Sequence, residues 1–387
     1  MSGCTSHVKP LGFDGDAVCL TPGPADAAIV ANSAPGGLSA AGRSSGPAAG
    51  TLPAPGLVEP VTPRNLLVAI VGPTAAGKSA LALGLAEHLD GEIVNYDSVQ
   101  LFRGFDLGAG KLPAAERRGV PHHLLDCLEP EQLFTAGDYR REALRVLTDL
   151  RARSKLPVFV GGTGLYLRAL LLGLFEGPPR SEALRDRLRA LAQRRGSGHL
   201  HRLLERLDPA AAERIQARDT QKILRAIEVC LLARKPLSAL HARGREGLKG
   251  YQIYKIGLNP ERGRLYERID CRVRAMFAGG LMDEVRALLA RPDACRIKPL
   301  EALGYRQACA ILRGETSLEE AIRLTQVATR HYAKRQLTWL RPESDVAWFE
   351  SFGDDPETLP RVLRALEQMG HPGRSEMAAA RRPASTL

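Results

Sequence analysis

The stretch LLVAIVGPTAAGKSALALGLAEHL, residues 66–89, constrains the fold more than any other. Its first six residues are apolar without interruption, the pattern of a strand buried on both faces. Leu81, Leu85 and Leu89 then recur four apart, which predicts a helix over 79–89. Between strand and helix, Gly72, Pro73, Thr74, Ala75, Ala76, Gly77, Lys78 and Ser79 fit G-x-x-x-x-G-K-[ST]. The glycines let backbone N–H groups turn inward around phosphate oxygens, and Lys78 neutralises charge. Ser79 can ligate Mg²⁺, and the positive end of the following helix points at the anion. Such a loop reads phosphate. It does not specify adenine, guanine or ribose.

The rest of the chain repeats the alternation. EIVNY (92–96), LPVFVGG (156–162), YQIYKIGL (251–258) and VAWFE (346–350) read as further strands. Residues 138–154 place Ala143, Leu144, Leu147 and Leu150 on one helical face, and 262–339 reads as helices. Strands alternating with helices predict an α/β fold, a parallel sheet with helices on both faces and a site at the strand C-termini. Residues 181–246 are rich in Arg, Leu, Ala and Glu with no strand-like run. They predict a helical insertion over 178–248 within a core of 64–177 and 249–350. Residues 1–63, rich in Ala, Gly, Ser and Pro without a period, read as a disordered extension, and 370–387 as a disordered tail.

Charge narrows the partner. Residues 1–63 carry a net −2, so the chain's +11 becomes +13 on 64–387. That favours a polyanion, with nucleic acid the first candidate. Arg323, Arg330, Lys334 and Arg341 are spaced seven, four and seven, and no acid lies between Glu320 and Glu343. They form either a stripe matched to a phosphate backbone or a solvated basic face. The cysteines at 4, 19, 127, 230, 271, 295 and 309 include no zinc or redox pair. No run approaches the ~18–20 apolar residues of a membrane span, and no signal peptide is evident, so the expectation is a cytoplasmic protein. None of Asn32, Asn65, Asn95 and Asn259 begins an Asn-Lys-x-Asp guanine reader, which argues against a GTPase. An ATP-using kinase stays open at this point.

Asp97 closes the second strand and should project into the crevice beside the phosphates. It can orient Mg²⁺ through water, accept a proton from a nucleophile, or simply cap a turn with Ser98.

Six motifs then stand in order: GPTAAGKS (72–79), DSVQLFRGFDLGAGK (97–111), GGTGLY (161–166), DTQKILRAIEV (219–229), ALGYRQ (302–307) and ATRHYAKRQLTWLR (328–341). Through them, residues 66–350 resemble the tRNA dimethylallyltransferases, or tRNA isopentenyltransferases. The resemblance implies a P-loop NTPase-like fold and transfer of a dimethylallyl group from dimethylallyl diphosphate, with Mg²⁺. The acceptor it implies is the N6 amine of the adenine 3′-adjacent to the anticodon, in tRNAs reading codons that begin with U. The phosphate loop then holds the donor's diphosphate, and no ATP is hydrolysed.

The same resemblance implies residue roles. Asp97 matches the proposed general base, Thr163 a hydroxyl between donor and acceptor, and Arg225 an arginine approaching the diphosphate beside Lys78. Ser98 and Gln100 fall where the family touches the target base, and Asp97, Val99 and Thr163 count with them among the tRNA-binding positions. Arg185, Gln221, Lys222, Ile223, Leu224 and Arg225 fall where it meets tRNA, and the stripe adds Arg330 and Lys334. An adenine in the anticodon loop must be extruded to reach such a crevice, and the insertion is expected to clamp the anticodon stem. This sequence departs from the family in having Phe102 for a usual Tyr, Lys222 for a usual Arg, and Gly108-Ala109-Gly110-Lys111-Leu112-Pro113 for Gly-Thr-Ala-Lys-Pro. The lack of a C-terminal zinc finger points to the bacterial form, and the family implies a monomer.

Overall fold

The computed structural model describes residues 65–368, Glu176 and Arg243 excepted. The segments expected to be disordered, 1–63 and 370–387, lie outside the described residues. In chain order, strand β1 (Leu66–Val71) leads through the phosphate loop to α1 (Lys78–His88), then β2 (Gly91–Asn95) and β3 (His122–His123). Next come α2 (Ala136–Ala152), β4 (Leu156–Val160) and α3 (Gly164–Leu172). Helices α4 (Glu182–Arg195), α5 (Ser197–Leu207), α6 (Pro209–Arg214), α7 (Thr220–Ala233) and α8 (Leu237–Ala242) follow before β5 (Gln252–Leu258). The chain closes with α9 (Arg262–Ala278), α10 (Leu281–Leu289), α11 (Tyr305–Leu312), α12 (Leu318–Leu340), β6 (Val346–Phe349) and α13 (Thr358–Gln368). No helix among the described residues is long and apolar enough to cross a membrane.

The sheet runs β3-β2-β4-β1-β5-β6, and every pair is parallel. β1 is wholly buried and its residues alternate between two cores. Leu67, Ala69 and Val71 pack under α2, α3 and α9–α12, while Leu66, Val68 and Ile70 pack under α1 and α13. This explains why the strand reads as unbroken apolar sequence. The strand at 122–123 escaped sequence reading because two histidines on a sheet edge carry no apolar pattern. α2 starts where Thr135 and Asp138 form a reciprocal capping box.

Helices α4–α8 enclose a third cluster of their own, built on Leu188, Leu200, Leu204, Ile223, Leu224 and Ile227. Ile223 and Leu224, expected against tRNA, are 0% and 1% exposed. That expectation is corrected: their side chains form the core of the helical segment, because positions 223, 224 and 227 lie on the apolar face of α7.

The strand order decides where the chemistry lies. β2, β4 and β1 are adjacent, and Asn95, Val160 and Ile70 are in register at their C-terminal ends. The loops that follow them, Asp97 onward, Gly161–Thr163 and Gly72–Ser79, therefore emerge side by side.

Candidate active site

The phosphate loop is held by its glycines. Gly77 caps α1 with φ +82°, a left-handed conformation, and a Cβ there would lie 2.5 Å from Asp354 Oδ1. Lys78 folds its ammonium onto the carbonyl oxygens of Gly72 at 3.1 Å and Pro73 at 2.8 Å. Desolvation in this enclosure pushes the Lys78 pKa down to about 8; the nearby Asp97 charge opposes the shift, and Arg272 adds to it. Ser79 is exposed at the first turn of α1, where a metal bound to a phosphate would meet it. Among the described residues no cluster of three or more His, Cys, Asp or Glu could hold a metal.

Asp97 divides its two oxygens. Oδ1 accepts the backbone N–H of Val99 at 2.9 Å and of Gln100 at 3.4 Å, which is the turn-capping role. Oδ2 faces Gly162, where a Cβ would lie only 2.8 Å away. Position 162 therefore must be glycine for the acid to approach the turn this closely. Asn95 steadies the same turn, accepting from Asp97 N at 2.9 Å and donating to Leu124 O at 2.8 Å. Thr163 Oγ1 accepts from Ser98 N at 2.9 Å and lies 3.0 Å from Ser98 Oγ, to which it donates. Asp97, Ser98 and Thr163 are thus brought together from strands β2 and β4.

Two cavities meet at this point. One, about 390 Å³, has apolar walls from Val71, Tyr96, Leu167, Trp339 and Leu340. The other, about 330 Å³, is lined by Thr74, Ala75, Asp97, Val99, Ile269, Arg272, Met276 and Tyr305 among others. Ser98, Thr163, Tyr332 and Arg335 line both.

Arg272, Tyr332, Arg335 and Gln336 were not singled out from sequence. Arg272 is half-buried, and burial lowers its pKa while Asp97 raises it. It has no carboxylate within 4.0 Å among the described residues. A signal existed: Leu265, Ile269, Val273 and Met276 mark the inward face of α9, and Arg272 borders it. A cation on an inward face needs a partner.

Other expected residues go elsewhere. Gln100 spends its amide N–H groups on the carbonyls of Ala109 at 3.0 Å and Gly110 at 3.4 Å, bracing the 98–111 loop. Lys111 of that loop buries its ammonium against Phe102 O at 2.6 Å, Asp106 at 2.9 Å and Asp126. Arg185 is 8% exposed and grips Glu228 through Nε at 3.0 Å and Nη2 at 2.9 Å. Its guanidinium, expected toward tRNA, is thus engaged inside the helical segment. Arg225, expected at the diphosphate, binds Glu228 at 2.7 Å and Pro178 O at 3.1 Å. Burial alone would raise the Glu228 carboxyl, but Arg185, Arg225 and the Ser181 N–H outweigh it and hold it at about 2. Lys222 pairs with Asp219 at 2.7 Å, and Gln221 is exposed beside it. On α12, Arg330 is bound to Asp270 of α9 and Arg323 to Glu320, so only part of the stripe is unpaired; Lys334 and Arg335 are exposed.

A parallel sheet whose first strand ends in a phosphate loop defines a P-loop NTPase-like protein. Residues 100–343 match the family described as IPP transferase. The tRNA dimethylallyltransferase of Solibacter usitatus (strain Ellin6076) is 54% identical over 306 residues, 78% of this chain and 99% of that protein. A solved structure of the tRNA isopentenylpyrophosphate transferase of Bacillus halodurans is 36% identical with a TM-score of 0.56, covering 81% of this chain and 99% of the other. A structure of a eukaryotic dimethylallyltransferase acting on tRNA is 23% identical over 80% of this chain and 81% of its own, with a TM-score of 0.67, a likeness of fold. This chain belongs to the IPP transferase family.

Proposed function

We propose that this protein transfers a dimethylallyl group from dimethylallyl diphosphate to the N6 amine of an adenine in tRNA, releasing diphosphate. The adenine is the one 3′-adjacent to the anticodon in tRNAs reading codons that begin with U. The observation that carries the reading is the meeting of two cavities at Ser98 and Thr163, with Asp97 beside them and two cations, Lys78 and Arg272, at the phosphate loop. Two large substrates reacting at one point need two approaches to it. Family membership and the relatives' names support the choice of substrates.

In this reading Lys78, Arg272 and the loop N–H groups stabilise the charge that develops on the departing diphosphate. Asp97 Oδ2, the oxygen not committed to the turn, accepts the proton of the attacking amine. The Thr163 hydroxyl turns from Ser98 to the bridging oxygen of the donor. Ser79, exposed at the start of α1, would hold Mg²⁺ through its hydroxyl, since an oxygen ligand suits that ion's chemistry. When bound, it adds charge neutralisation to the leaving group. Exposed Lys334 and Arg335 supply phosphate-backbone contacts. A monomer in the cytoplasm completes the proposal.

The test is to incubate the protein with Mg²⁺, dimethylallyl diphosphate and unmodified tRNA, digest the RNA and weigh the nucleosides. An adenosine heavier by one isopentenyl unit is the expected product. Phosphate transfer from ATP to a small molecule, with no change in tRNA, would overturn the reading.

A further inference from the structure

The phosphate loop and the Gly161–Thr163 turn come from different strands, and any transfer between their ligands depends on how the two are spaced. We propose that Gln336 is the positioning residue that fixes this spacing; the inference rests on the function proposed above.

Gln336 projects from α12 and is 9% exposed. Its Oε1 accepts the backbone N–H of Thr74 in the phosphate loop at 2.8 Å. Its Nε2 donates to the carbonyl of Gly162 at 3.0 Å. The orientation of the amide follows from its partners, because an N–H needs the oxygen end and a carbonyl needs the nitrogen end. No other side chain among the described residues hydrogen-bonds both loops. Tyr332, one turn earlier on α12, donates to the same Gly162 carbonyl at 2.9 Å. A Cβ at Gly162 would in turn lie 2.8 Å from Asp97 Oδ2. One primary amide therefore links the donor's loop to the turn that carries Thr163 and walls Asp97. Asparagine is one methylene too short to span the two contacts, and glutamate lacks the donor for the second.

Such a residue acts through others, so its loss should reach kcat and spare KM. Gln336→Met keeps the volume and removes both bonds. It is expected to lower kcat roughly 10- to 100-fold, the cost of a misplacement of about 1 Å. KM for dimethylallyl diphosphate and for tRNA should stay within about twofold. Tyr332→Phe alone should cost less, because Gln336 still holds Gly162, and the double variant should lose more than the product of the two single losses. Rates are taken per folded molecule, with Tm measured alongside. A kcat for Gln336→Met within about twofold of wild type overturns the inference, as does a raised KM at unchanged kcat. If that variant fails to fold, Gln336→Glu decides: it keeps the Thr74 acceptor and loses the Gly162 donor, and wild-type kcat there overturns the inference equally. An inactive wild type is the separate failure, that of the proposed function.

Discussion

The strand-end crevice and the helical segment α4–α8 both hold arginines and lysines, but they treat them differently. In the crevice, Lys78 bonds backbone carbonyls and Arg272 has no carboxylate within 4.0 Å among the described residues. In the helical segment, Arg185 and Arg225 share Glu228, which is 0% exposed. Cations with no direct ion-pair partner beside the phosphate loop are placed for an anionic ligand. Cations chelating a buried acid hold the fold, since breaking such a pair leaves an uncompensated buried charge. Basic residues in this protein thus divide by partner, and composition alone does not separate the two groups.

The sharpest way to break this comparison is to remove the crevice groups. Asp97→Asn is expected to lower kcat by about 10²–10⁴-fold while tRNA binding, read by filter or fluorescence titration, is retained. Full activity would take Asp97 out of the mechanism. Arg272→Ala and Lys78→Ala should each cost about 10²–10³-fold in kcat/KM for the donor, and Arg225→Ala distinctly less. The reverse ranking would erase the distinction between the two regions.

Glu228→Gln should act on stability instead. A loss of about 3–5 kcal/mol in urea denaturation is expected, because Arg185 is left buried beside a neutral amide. Acid should do the same to the unmodified protein. The Glu228 carboxyl is held at about 2 against an ordinary 4.5, so its contribution is fully present above pH 4.5 and is lost as pH falls toward 2. An acid unfolding profile unchanged by the substitution would show the triad to be dispensable.

The crevice has its own pH signature. With Lys78 lowered from 10.5 to about 8, its ammonium is present below pH 8 and is lost as pH rises through it. A bound diphosphate favours the charged form, so KM for the donor should rise above pH 8 and donor binding there should take up a proton. Calorimetry in buffers of different ionisation enthalpy measures that uptake, and none at pH 8–9 would contradict the assignment.

The smallest effects belong to the basic face of α12, at Lys334 and Arg330. Lys334→Ala should weaken tRNA binding across sequences and reduce the salt slope by about 1. Arg330→Ala, whose guanidinium is already engaged by Asp270, should change the slope less. Equal slopes would mean that the Asp270 pair opens on RNA.

Sequence by itself determined the parts of this protein that depend on near neighbours in the chain. The buried β1, the phosphate loop, α1 and the helical character of 181–246 are set by apolar period and glycine placement, which act over a few residues. Asp97 and Thr163 were legible because each follows an apolar strand, and a parallel sheet gathers strand C-termini on one edge. Tertiary structure alone decided the partners. Asp270 neutralises Arg330 across 60 positions and Gln336 reaches Thr74 across 262, while Arg185 and Glu228 meet inside a helical core. Hydrogen bonds and ion pairs act over a few ångströms in space, and no local pattern records which distant residues folding brings within that range.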